Sequence, residues 1–302
     1  MENNFEISRA EVERKPKNVS AIMGLLKCMR VHRIRDSRLV VRFGGAALRN
    51  MVGQLGDEKW GIYEQVFIAA LDTGDEELAN ECLAALMVQF KDSSRVKRLV
   101  GLQSEAKREF KAASETYDDL LEANPCNAMA LKRRVALLVG QGKTKEAVQE
   151  LNEILEQYHG DSTAWQCLAD LYLGMSKYDA AAFCFQELLL HDPMNHMLFC
   201  RLGEVYFTLG RPEDLANARK YFSQSLEVKT QGNVRALHGL AATCAAIAED
   251  PKQTGRPEVN SALHEHATSE LNGLYRKQCP SLVPHLEAVL SEQRSAVSRH
   301  DA

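Results

Sequence analysis

The chain has 302 residues, 45% of them apolar and 26% charged, and a formal net charge of −4. That balance suits a globular protein whose core needs no disulfide or metal staple, and it speaks against a nucleic-acid binder, which needs a strongly basic face. No apolar run approaches the ~18 residues that span a bilayer, and the short Ala21–Leu26 run follows an acidic start, so neither a transmembrane helix nor a signal peptide is expected. The eight cysteines form no C-x-x-C pair and fall mostly in apolar helical patterns, as reduced thiols of a reducing compartment do.

The charge is uneven along the chain. Residues 1–59 hold twelve Lys/Arg against seven Asp/Glu, about +5, which leaves about −9 for the rest. Within this segment, Lys27–Phe43 carries six Lys/Arg, and the stretch from Gly44 to Trp60 predicts a capping helix. Residues 1–20 are expected to be disordered, as exposed termini often are.

From Trp60 onward a spacing recurs. With Ser162 as position 1, Trp165, Leu168, Ala169, Tyr172, Ala181, Phe185, Leu188 and Pro193 fall at positions 4, 7, 8, 11, 20, 24, 27 and 32. Starts at 60, 94, 128, 162 and 196 keep one register, although the second half of the last slips by three residues to Ala218 and Phe222. The pattern resembles the 34-residue tetratricopeptide (TPR) repeat of two antiparallel helices. Neither helix can bury its apolar stripe alone, so the repeats must stack. Small residues such as Gly101, Gly203 and Ala181 let helices approach closely, while large ones fill the space between repeats. A sixth repeat starts at Asn233, with its second helix displaced about fifteen residues by a loop over Glu249–Asn260. A short helix within Leu282–Gln293 and a frayed end complete the chain. The expected fold is therefore all-α: a TPR solenoid of about six helix pairs forming a curved superhelix. Residues 1–59 give a basic, partly disordered N-terminal segment with a capping helix. Residues 60–248 give repeats 1 to 5 and the first helix of repeat 6. Residues 249–302 give the loop, the displaced helix and a C-terminal cap.

Candidate chemistry is sparse. His191 with His196, and His264 with His266, lack a completing cysteine pair, so packing or solvated histidines are the expected reading, with no metal and no cofactor. No G-x-S-x-G, Walker loop or dinucleotide fingerprint occurs; Val41–Asn50 has paired glycines, which read as a close helix contact. Glu146, Glu150 and Glu153 read as a solvated helix face. No enzyme is expected.

The informative surface is the concave one, lined by positions 2, 5, 9 and 12 of each first helix. These are Arg95, Arg98, Leu102 and Glu105; Met129, Lys132, Ala136 and Val139; Thr163, Gln166, Asp170 and Leu173; and Met197, Cys200, Glu204 and Phe207. A groove basic at one end and apolar further along is expected, with Arg95, Arg98, Lys132, Arg133, Met197 and Phe207 as partner-binding candidates. The alternative is a merely solvated basic face. At the positions of a chaperone-tail carboxylate clamp stand Lys132, Ala136, Cys167, Met197 and Arg201; both asparagines and one lysine are missing, which speaks against a chaperone adaptor.

Individual phrases carry a closer resemblance. "LGDEKWGIYEQVFIAALD", "SSRVKRLVGLQSEA", "AVQELNEILEQYHGDSTAWQCLADLY", "YDAAAFCFQELLLHDPMNH" and "ARKYFSQSLE" resemble the family of ER membrane protein complex subunit 2, over roughly Leu55 to Asp250. The resemblance implies a cytosolic TPR scaffold, peripheral to the endoplasmic reticulum membrane, under an insertase of tail-anchored and multi-pass proteins. It further implies contacts with cytosolic parts of the complex's membrane subunits and with a soluble, inactive metalloprotease-like subunit. A homo-oligomer is not expected. The alternative is a TPR adaptor for a soluble partner such as a chaperone.

The register itself is testable. Trp165→Ala is expected to cost about 3–5 kcal/mol through the cavity it leaves, and Ala181→Leu about 1–3 kcal/mol through overpacking, both read by urea denaturation. Losses under about 1 kcal/mol for both would contradict the repeat.

Overall fold

The computed structural model describes residues 2–249 and 257–300. All regular structure among them is helical, and the chain divides into two compact units, Met1–Lys143 and Thr144–Ala302. In the first unit, α1 (Glu2–Arg14) and α2 (Val19–Val31) form an N-terminal hairpin. Then α3 (Ser37–Val40), a π-helical turn (Val41–Gly45) and α4 (Ala46–Met51) run on as one helical stretch. Stacked TPR hairpins follow as α5 (Lys59–Thr73) with α6 (Glu76–Gln89) and α7 (Ser94–Ala106) with α8 (Phe110–Ala123), and α9 (Ala128–Gly140) packs on α8.

The second unit opens with α10 (Thr144–Gln157), which packs on α11 (Ser162–Gly174). Hairpins then join α11 to α12 (Tyr178–His191), α13 (His196–Leu209) to α14 (Pro212–Val228), and α15 (Val234–Glu249) to α16 (Pro257–Gln278). The last helix, α17 (Val283–His300), lays Leu286 and Leu290 into the core formed with α15 and α16.

Two local devices recur with the repeat. Ser93, Asn127, Asp161 and Asn195 stand one residue before α7, α9, α11 and α13. Asn127 accepts the Ala130 N–H at 3.3 Å, Asp161 those of Thr163 and Ala164 at 3.1 Å, and Asn195 that of Met197 at 3.1 Å. Each satisfies backbone donors that the first helical turn leaves unpaired. In the turns after α5, α7, α9, α11 and α13, the residues with positive φ are Gly74 (76°), Arg108 (59°), Gly142 (75°), Ser176 (56°) and Gly210 (69°). The left-handed conformation closes each helix, and only glycine adopts it without a Cβ clash.

Packing follows the small-residue rule. Ala79, Ala113, Ala147 and Ala181 are fully buried, as is Ala218 after the three-residue slip. A Cβ on Gly101 would lie 2.6 Å from the ring of Tyr117, and one on Gly203 would lie 3.0 Å from that of Phe222; Gly239 meets the same Phe222 ring from α15, closer still. Trp165 is 8% exposed, and its indole N–H donates to the His159 carbonyl at 2.8 Å.

Three expectations need correction. The N-terminus is ordered: α1 buries Val12 completely against the core that holds Ile22, Leu25 and Phe43. A few apolar residues, Phe5, Ile7, Ala10 and Val12, on an otherwise polar helix are a weak signal in sequence, yet Val12 and Phe5 suffice once α2 supplies the partner surface. Of the loop expected over Glu249–Asn260, residues 250–256 lie outside the described residues, and Pro257–Asn260 already form the first turn of α16, where proline loses no hydrogen bond. The C-terminal helix is also longer than expected, starting at Val283 and reaching His300. The paired glycines of Val41–Asn50 are a close contact: a Cβ on Gly44 would come within 2.6 Å of Val66.

Arg108 and Ser176 carry side chains where the backbone is left-handed. Ser176→Gly and Arg108→Gly are each expected to raise stability by about 0.5–1 kcal/mol, the Cβ strain relieved less the added unfolded-state entropy. Thermal melts of the single variants measure this, and a fall in Tm would contradict the strain.

Candidate partner-binding faces

In the first unit, consecutive first helices are joined by ion pairs. Glu64 of α5, with 13% of its side chain exposed, accepts from Arg98 of α7 at 3.2 Å and also from Arg95. Glu105 of α7 holds Arg133 of α9 through two guanidinium nitrogens, Nε donating to Oε1 at 3.0 Å. The same Oε1 accepts the Tyr117 hydroxyl at 2.6 Å. Burial, and then this carboxylate, push the Tyr117 phenol well above its ordinary range, so it stays a donor. Beside these pairs lies a cleft of about 660 Å³ with Ile68 and Leu102 among its apolar lining and Arg30, Arg35 and Arg133 among its charged residues. Arg35 is itself bound to Asp72, with Nε donating at 3.0 Å and Nη2 at 2.6 Å.

The expected basic end of the groove is therefore largely neutralised. Arg95, Arg98 and Arg133 each face a carboxylate within the chain, and their charge serves first to staple neighbouring helices. The Glu105 and Arg133 side chains remain 15% and 33% exposed, so this pair keeps a solvated edge. Lys132 is half-buried on the same helix.

The second unit repeats the device. Arg201 of α13 lies 4.0 Å from Asp170 of α11, and Arg235 of α15 donates to Glu204 of α13 at 2.5 Å. Met197 and Phe207 of α13 are exposed by 41% and 38%. Cys200, expected to line the groove, is instead fully buried, its sulfur 3.1 Å from the Ser225 hydroxyl. Asn233 donates to that hydroxyl at 2.9 Å, and Ser225 donates to the His196 carbonyl at 2.7 Å. On the same helix as Phe207 the ring of Tyr206 stacks on that of Tyr221 with centroids 5.5 Å apart, and Gln186 donates to the Tyr206 hydroxyl at 2.9 Å. The chain thus places four candidates, Arg95, Arg98, Lys132 and Arg133, in the first unit and two, Met197 and Phe207, in the second.

Glu64, Tyr117 and the Glu204–Arg235 pair were not among the expected site residues. A signal for them exists in the sequence: Glu64 and Arg95, Asp170 and Arg201, and Glu204 and Arg235 are each 31 residues apart. Among the described residues no group of three His, Cys, Asp or Glu side chains is disposed to hold a metal ion. His264 is buried, 3% exposed, whereas His266 two residues on is exposed. All eight cysteines are free, and burial pushes the thiols of Cys82 and Cys244 up to about 12 and that of Cys184 up to about 11. These thiols are inert packing groups.

Known proteins resemble this chain on two levels. A family model described as the EMC2 TPR-like repeat domain matches residues 78–228. ER membrane protein complex subunit 2 of Xenopus tropicalis is 41% identical over 252 residues, 83% of this chain and 84% of that protein. The Dictyostelium discoideum protein of the same name is 31% identical over 207 residues, 68% of this chain and 64% of its own length. TPR repeat protein oca3 of Schizosaccharomyces pombe is 39% identical over 171 residues, 57% of this chain and 59% of its own. Among solved structures, the C-terminal part of a TPR repeat-containing protein from Cytophaga hutchinsonii covers 92% of this chain and 98% of its own, with a TM-score of 0.54 and 13% identity. That likeness is one of fold alone.

Glu105→Ala is expected to cost about 1.5–3 kcal/mol, because it strands a buried hydroxyl and a guanidinium together. Adding Tyr117→Phe should recover part of that loss, since the stranded hydroxyl goes with it. Urea denaturation of the single and double variants reads both effects, and strict additivity would contradict the shared carboxylate.

Proposed function

We propose, from the premise that the chain belongs to the family of ER membrane protein complex subunit 2, that it serves as a TPR scaffold subunit of that complex. The observation that carries this reading is the 41% identity sustained over 84% of the Xenopus tropicalis protein, far beyond what a generic repeat supplies. In this reading the chain is non-catalytic and stands on the cytosolic face of the endoplasmic reticulum, peripheral to the membrane. Among the described residues no helix is long and apolar enough to cross one. It supports the insertion of tail-anchored and multi-pass proteins by holding other subunits together. Those partners are the cytosolic parts of membrane subunits and a soluble subunit of inactive metalloprotease-like fold.

The two units contribute differently to such contacts. Met197 and Phe207 offer exposed apolar surface, the kind that anchors a protein interface when it is desolvated. Arg95, Arg98 and Arg133 serve at the rim, where a partner meets guanidinium edges already held by carboxylates, with Lys132 beside them. Such groups fix register and exclude wrong partners more than they add affinity. A stable interface needs about 1,200–2,000 Å² of total buried surface, more than these six residues alone supply, so neighbouring helices must share in it. The chaperone-adaptor alternative lacks support at Ala136 and Cys167, where the clamp's asparagines would stand.

Affinity purification of the tagged chain from detergent-solubilised membranes tests the reading. Recovery with a set of multi-pass endoplasmic reticulum proteins is the expected result; recovery with soluble chaperones alone refutes it. Met197→Asp with Phe207→Asp should reduce recovery of those proteins at least about tenfold while leaving the melting curve of the chain unchanged. Undiminished recovery removes the second unit's concave face from the contacts.

A further inference from the structure

The helical stretch from Ser37 to Met51 buries one side and turns three arginines outward. Leu39, Val40, Phe43, Ala47 and Leu48 are buried in the first unit's core, while Arg38, Arg42 and Arg49 are exposed. All three are exposed along this one stretch, within at most about 16 Å of helix length. The π-helical turn at Val41–Gly45 sits within this stretch, and Arg42 lies 4.9 Å from the centre of the Phe43 ring. No Asp or Glu occurs between Ser37 and Met51.

Many of the protein's other arginines face a carboxylate, although Arg14, Arg33 and Arg108 do not among the described residues. Arg95, Arg98, Arg133, Arg201, Arg211 and Arg235 each have a carboxylate within 4.0 Å. Arg38 and Arg42 have none among the described residues, and Arg49 reaches only Glu81, at 3.9 Å and with both side chains more than half exposed. Three exposed arginines, two without a carboxylate and the third only loosely paired, with no acidic residue between them, form a surface complementary to an external array of anions. Arginine in particular presents a planar fork that matches phosphate oxygens in pairs.

We infer that the Arg38–Arg42–Arg49 face rests on an anionic phospholipid surface. A protein partner would be expected to anchor on exposed aromatic or aliphatic side chains. Between Arg38 and Arg49 this face exposes no apolar residue fully; Val41 and Ala46 are only half-buried. Charge alone, laid along a convex helix, is what a headgroup plane engages, and the helix keeps its apolar side in its own core instead of inserting it. The contact adds a direct hold on the bilayer to whatever the other subunits supply. It goes beyond the scaffold reading and does not depend on it.

The test is flotation of the purified full chain, with no other subunit present, on phosphatidylcholine vesicles with and without phosphatidylserine. Wild-type chain is expected to float only with the anionic vesicles and to be released as salt rises. Arg38→Gln/Arg42→Gln/Arg49→Gln is expected to partition about 100-fold less, at about a factor of five for each charge. Arg38→Lys/Arg42→Lys/Arg49→Lys keeps the charge and should retain most of the binding, with the melting curves of both variants matching wild type. Equal flotation of wild type and the glutamine variant overturns the inference, as does flotation indifferent to phosphatidylserine or absent altogether. Retention on a polyglutamate resin without flotation would instead give the row to an acidic protein segment.

Discussion

A missing methyl group sets the geometry of the first unit. Gly101 lets the Tyr117 ring lie against the backbone of α7, where any Cβ would collide with it. With the ring at that depth, its hydroxyl meets Glu105, and Glu105 in turn fixes Arg133 on the next repeat. Spacing, hydrogen bonding and charge pairing thus descend from one close approach. In the second unit Phe222 plays a similar part, enclosed by Gly203 from α13 and Gly239 from α15. Close-packed interiors transmit such constraints because they contain little space to absorb a misfit.

The same economy governs charge. A stack of helices offers its partners a surface only if that surface does not collapse or repel itself. Pairing Glu64, Glu105, Asp170 and Glu204 with arginines of the following repeat tightens the stack and offsets much of the charge on these helices. Beside these pairs the second unit keeps exposed apolar surface at Met197 and Phe207. Exposed arginines with no acidic residue between them lie elsewhere, at Arg38, Arg42 and Arg49. A single chain with 37 Lys/Arg and 41 Asp/Glu thereby presents two kinds of surface.

Much of the fold was legible because stacking imposes a period. The starts of α7, α9, α11 and α13 fall at residues 94, 128, 162 and 196, where the aromatic and small-residue pattern puts them. The N-terminal segment was not legible, since Val12 and Phe5 give α1 too few apolar positions to stand out beside its charges. The site was legible only by position. Periodicity says that Arg95, Arg98, Glu105 and Lys132 face inward; it does not say that Glu64 meets the two arginines or that Arg133 meets Glu105, because that depends on helix separation and side-chain reach. Cys200 shows the same limit: its place in the repeat points to the groove, but Ser225 and Asn233 enclose it.

The left-handed turn after each first helix gives the sequence an asymmetry in how it can drift. At 74, 142 and 210 glycine already occupies the conformation, and most replacements add about 1–2 kcal/mol of local backbone strain, so change there is costly. At 108 and 176 the collision has already been accepted, and other side chains are close to equivalent there, asparagine somewhat better than most. Two of five otherwise identical corners are therefore free to diversify, and surface chemistry at those corners can change without disturbing the period of the stack.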